Sequence, residues 1–101
     1  MSRYAFVAVA EITETVTEMG IQGRVAEISR QGCYVDALNS FPVGSWLNMR
    51  IFCDRGSFAT KGRVLYVQAR IGMGIAFLDT AADELKILDS WLSELSARTA
   101  T

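Results

Sequence analysis

Five residues of this 101-residue chain have the types and spacing to recognise a ligand: Arg3, and Glu27, Ser29, Arg30 and Gly32 within the stretch EISRQG at 27–32. An arginine forks onto phosphate or carboxylate oxygens, and a hydroxyl donates or accepts. A carboxylate accepts from N–H edges, and a glycine lets a ligand approach bare backbone. Such a set suits an anionic ligand with a hydrogen-bonding edge. A plainer alternative stays open, because a polar stretch containing glycine between two alternating segments is also what an ordinary β-connection looks like. In that case Ser29 bonds its own turn and Gly32 supplies a positive φ.

Composition removes several classes of chemistry. The chain has no histidine, which takes away the commonest general acid/base and metal ligand at neutral pH. No nucleophile with a neighbouring base is visible, so the chain reads as non-catalytic, without a metal or resident cofactor. Ten basic against eleven acidic residues give a formal net charge of -1, whereas a DNA or RNA binder usually carries a basic excess. Half of the residues are apolar and 21% charged, the composition of one globular domain over residues 1–101. The apolar start YAFVAVA is too short for a signal sequence and continues its alternation into Glu11, so it reads as a strand, and no apolar run is long enough for membrane insertion. Cys33 and Cys53 fall in phase with apolar neighbours and read as reduced, buried thiols of a cytoplasmic protein.

The elements that must position these residues are mostly strands. From Tyr4 to Thr17 the alternation puts Tyr4, Phe6, Ala8, Ala10, Ile12 and Val16 on one side, with a turn expected at Met19 and Gly20. A second strand, 21–29, shifts its apolar phase between Val25 and Ile28, the mark of a bulge. A short third strand carries Cys33 and Val35. After a loop around Pro42 comes a fourth, 46–53, with Leu47, Met49, Ile51 and Cys53 on one face and Trp46 outward as a lid or partner contact. Asp54-Arg55-Gly56-Ser57 closes a hairpin onto a fifth strand, 58–68, and a sixth spans 73–78. Gly72 and Gly74 flank Met73 and point to a close backbone approach. Thr80 is placed to cap a helix over about 81–97, in which Leu85, Leu88, Trp91, Leu92 and Leu95 recur at helical spacing. Six strands followed by one amphipathic helix imply an all-β, six-stranded antiparallel barrel (residues 4–79) flanked by a C-terminal helix.

Taken together, Arg3, the EISRQG turn, the GMGIAF segment at 72–77 and the leucine-rich final helix resemble the PilZ domain family, the bacterial receptor module for cyclic dimeric GMP (c-di-GMP). The resemblance implies the same six-stranded barrel with a C-terminal helix. It also implies a c-di-GMP site built from an RxxxR segment leading into the first strand and an Asp/Asn-x-Ser-x-x-Gly turn between the second and third. Arg3, Ser29 and Gly32 match these elements; Glu27 stands where Asp or Asn is usual, and Val7 takes the place of the second arginine. Arg24 and Arg30 are the neighbouring cations placed in sequence to stand in for it. Four residues apart in an extended segment, Arg3 and Val7 are expected on one side, facing the turn. The resemblance therefore implies a cytoplasmic signalling module with c-di-GMP binding weakened or lost and with a protein partner; a ligand-independent adaptor on the same scaffold is the alternative.

Overall fold

The computed structural model describes residues 2–99. Six strands run β1 (Tyr4–Glu14), β2 (Gly20–Ile28), β3 (Gly32–Asp36), β4 (Trp46–Cys53), β5 (Gly56–Gln68) and β6 (Gly72–Leu78), followed by one helix, α1 (Ala82–Thr99). They close into a barrel in the order β1-β2-β3-β6-β5-β4, every neighbouring pair antiparallel. This is the architecture expected from the alternation.

Period-two patterning explains the core. Ala8, Ala10 and Ile12 of β1, Leu47, Met49 and Ile51 of β4, and Phe58 and Val64 of β5 all point inward and are buried. Closure gives each of the six strands a neighbour on both sides, although β1 meets β4 only from Val9 to Glu14. The stripe of α1 docks on β5 and β1. Leu88 and Trp91 are buried there, with Trp91 5.5 Å from the Phe6 ring and 6.1 Å from Phe58, the latter edge-on. Edge-to-face contacts add to the area the rings remove from water.

Local details differ from expectation in four places. First, β1 stops at Glu14, not Thr17, and Val16 is exposed. The cause is the Glu14 carboxylate, which accepts from the Val16 and Thr17 N–H groups and from the Thr17 hydroxyl, while Glu18 takes φ 61°. These bonds, that of Val16 first, hold the Glu14 carboxyl below its ordinary range. They offer the backbone a turn in place of the ladder. Gly20 lies in β2, beyond that turn.

Second, Thr80 does not cap α1. The first intrahelical bond runs from Leu85 N–H to the Ala81 carbonyl, and the Thr80 hydroxyl meets that of Thr60 at 2.7 Å. Third, Cys33 is buried as expected but Cys53, at the end of β4, is only half-buried; both thiols are free. Fourth, Gly32 does not occupy the positive-φ region; among the described glycines only Gly44 and Gly56 do, the latter closing the two-residue Asp54–Arg55 hairpin.

The phase shift seen in the second strand is a bulge: the β2–β3 register slips between Val25 and Glu27. A second slip, in the β1–β2 register between Ala5 and Ala8, falls where Phe6 turns toward Trp91.

Candidate ligand groove

The turn between β2 and β3 is held from within. Ser29 donates its N–H to the Gly32 carbonyl at 2.8 Å, its hydroxyl reaches the same carbonyl at 3.3 Å, and Gln31 N–H returns to that hydroxyl at 3.3 Å. Phe77 N–H bonds the Gln31 carbonyl, tying the turn to β6. Gly32 stands opposite Ala76, and a Cβ on it would lie 2.1 Å from the Ile75 carbonyl oxygen. So Gly32 is glycine because β6 backbone fills the side-chain space. Ser29 caps its turn, as the plainer alternative held, but it is also one wall of a groove.

That groove encloses about 320 Å³ and runs over the outer face of β3, β6 and β5. Arg3, Glu27, Ser29 and Gly32 line it together, so four of the five residues singled out in the sequence meet. Arg30 does not join them: its Nε lies 3.1 Å from the Asp89 carboxylate of α1. Arg24 lies elsewhere as well, in a concavity beside Asp36 and Leu38. The expected position of Val7 is overturned. It lines a different groove, with Phe6, Trp91, Glu94 and Arg55, within the stretch where the β1–β2 register slips. The in-out alternation of β1 is unbroken, so Arg3 and Val7 are both exposed as the parity predicted, but they line separate grooves.

The sequence reading missed the groove's floor. Tyr34 of β3 and Tyr66 of β5 both pair with Gly74 of β6, one from each side, and their rings stand 6.1 Å apart. The Tyr34 hydroxyl donates to Gln68 Oε1. Burial, then the neighbouring Tyr66, Asp36 and Glu27, raise the Tyr34 pKa above the usual phenol value. The available signal was Gly74 itself: a glycine inside a strand marks a place where something crosses close. Beneath the groove, burial pushes the Cys33 thiol up to about 12.

Arg3 is the only cation lining the groove among the described residues, and Glu27 is its carboxylate. Among the described residues no group of three or more His, Cys, Asp or Glu is placed to hold a metal ion. Also among them, no helix is long and apolar enough to cross a membrane.

A closed six-stranded antiparallel barrel with a C-terminal helix is the PilZ fold. The PilZ domain profile matches residues 2–94, and the chain belongs to that family. Solved structures agree on the fold. The PilZ domain of Escherichia coli YcgR, determined with c-di-GMP, superposes with a TM-score of 0.76 at 12% identity over 97% of this chain and 91% of that one. MrkH of K. pneumonia in its apo state gives 0.78 at 12% identity over 98% of this chain and 50% of its own. The Bacillus subtilis inhibitor of motility MotI/DgrA gives 0.77 at 19% identity over 97% and 49%. The chain thus spans about half the length of the last two. Among curated proteins none matches the sequence.

Proposed function

We propose that this chain is a non-catalytic binding module of bacterial second-messenger signalling that takes c-di-GMP weakly in the groove beside the β2–β3 turn. One observation carries this reading: Arg3, Glu27, Ser29 and Gly32 converge on a single groove, with Arg3 as its cation. On this reading the site residues are Arg3, Glu27, Ser29 and Gly32; Arg30 is left out because it does not line the groove and pairs with Asp89 instead. A ligand with two phosphates meets one guanidinium here. The lost charge-assisted bond corresponds to roughly a tenfold to hundredfold drop in affinity. The module works in the cytoplasm and relays occupancy to a protein partner, without contacting DNA or RNA and without inserting into a membrane.

Calorimetric titration with c-di-GMP tests this. Saturable binding that Arg3→Ala abolishes is expected; no binding at millimolar ligand overturns the reading. In that event the second reading, a ligand-independent adaptor, is the better account. It is favoured by the outer face of β1 and β4, where Val7 (72% exposed), Val9 and its cross-strand partner Phe52 leave apolar side chains uncovered.

A further inference from the structure

The groove's floor and its charges point to different parts of a ligand. Tyr34, Gly74 and Tyr66 form one row across β3, β6 and β5. With no side chain on Gly74, the Tyr66 ring folds over its backbone: a Cβ there would lie 2.2, 2.4 and 2.8 Å from three ring carbons. Tyr34 does the same over Gly72, where a Cβ would lie 2.8 and 2.9 Å from two of its ring carbons. Two aromatic rings are thereby laid along the sheet, and Tyr66 remains 38% exposed while lining the groove. A surface of this kind stacks a planar heterocycle.

Glu27 stands beside Tyr34, its cross-strand partner, and lines the same groove. Its carboxylate is in none of the ion pairs found among the described residues, whereas Arg30 is held by Asp89. A carboxylate accepts only. The guanine edge offers it two adjacent donors, N1–H and the 2-amino group. Adenine presents an unprotonated N1 at the matching place, which a carboxylate repels.

We infer that Tyr34 and Tyr66 are a base-stacking platform, so that this groove holds its ligand by the base more than by the phosphates; Glu27 stands at the turn position that the family resemblance already assigns to the guanine edge, and supplies the preference among bases. The inference rests on the proposed nucleotide-binding role and deepens it. Phosphate contact is left to Arg3. Binding is therefore less sensitive to salt than in a site held by several cations, since exposed charge pairs are the interactions that ions screen.

The test uses 3′,5′-cyclic GMP and 3′,5′-cyclic AMP, which carry the same single charge and differ in the base, alongside c-di-GMP. Ring-proton resonances of Tyr34 and Tyr66 are followed by NMR during each titration. The expected result is a saturable shift of both rings with cyclic GMP, binding at least about fivefold weaker for cyclic AMP, and loss of that preference in Glu27→Gln. Tyr66→Ala weakens cyclic GMP by roughly tenfold, and Tyr66→Phe recovers most of the loss. Raising salt from 50 to 250 mM changes c-di-GMP affinity by less than about threefold. Should Tyr66→Ala fail to fold, the ring shifts of the native protein decide. Unshifted rings, or equal affinity for the two cyclic mononucleotides, overturn the inference even where c-di-GMP binds. Cyclic GMP bound on the rings without any c-di-GMP binding overturns the proposed ligand and leaves the platform standing.

Discussion

The Tyr66 ring occupies the space in which a side chain on Gly74 would begin, at 2.2 Å from the position of a Cβ. The same crowding is found at Gly32, 2.1 Å from the Ile75 carbonyl, but the obstacles differ. Tyr66 is partly exposed and swings out by rotating χ1; the β6 backbone is hydrogen-bonded on both sides and stays where it is. Gly32→Ala is therefore expected to cost about 3 kcal/mol, and Gly74→Ala about 1 kcal/mol, read by urea denaturation. Gly74→Ala additionally displaces the platform ring, so any nucleotide binding falls more than stability does. Equal costs at the two sites would show that β6 gives way as easily as a tyrosine.

At the far side of the barrel, Trp91 is 4% exposed and sits between Phe6 and Phe58. Truncation to alanine leaves a cavity that barrel strands cannot collapse into. Trp91→Ala is expected to destabilise the fold by about 3 to 5 kcal/mol. A loss below about 1 kcal/mol would mean that α1 is not seated on the barrel.

The two thiols are expected to behave differently. Cys33 is buried, 8% exposed, at the groove with its pKa about 12, so it stays protonated and slow to react with a thiol reagent at pH 8, while half-buried Cys53 is labelled first. The linkage has a definite sign. The folded-state pKa lies above the unfolded value of 9.0, so the contribution of Cys33 is fully present below pH 9 and is lost as pH rises toward 12. Cys33→Ser, followed by denaturation at pH 8 and pH 10.5, should show less alkaline destabilisation than the native chain. An unchanged alkaline loss would assign it to other groups.

How much was legible in advance follows from the physics of each feature. Strand positions were readable because Leu47, Met49 and Ile51, or Cys33 and Val35, carry a strict two-residue period that only one register can bury. The helix was readable from Leu88 and Trp91 for the same reason at a longer period. Where a side chain competed with the backbone the reading failed: Glu14 ended β1 early, and Thr60 took the hydroxyl expected to cap α1. The site was half legible. Arg3, Glu27, Ser29 and Gly32 follow from one turn and one chain end, but Tyr34, Gly74 and Tyr66 come from three strands and meet only once the barrel order is known. Arg30 was out of reach for the opposite reason, since its partner Asp89 lies on the helix, 59 residues on, at 3.1 Å.

That ion pair makes a further prediction. Its side chains are 46% and 56% exposed, so the pair holds little energy. Arg30→Ala is expected to change stability by less than about 0.5 kcal/mol and to leave c-di-GMP affinity within twofold, both measurable on one preparation. A tenfold loss of affinity would return Arg30 to the site.

Val7→Arg tests whether the second arginine of the family's segment can simply be restored. From the sequence alone it places a cation beside the EISRQG turn. The structure gives a different answer, because Val7 lines a separate groove with Phe6, Trp91, Glu94 and Arg55. A new guanidinium there meets the Glu94 carboxylate, which Arg55 and Arg98 already engage, and not the groove over Tyr34 and Tyr66. A hydrogen bond to ligand needs an approach of about 3 Å, and the side chain starts in the other groove. Paired titrations with c-di-GMP, with circular dichroism as the fold check, should therefore give affinities within about twofold of each other. A tenfold gain, the equivalent of one charge-assisted bond, would require the segment from Arg3 to Val7 to leave its β1 register when ligand binds.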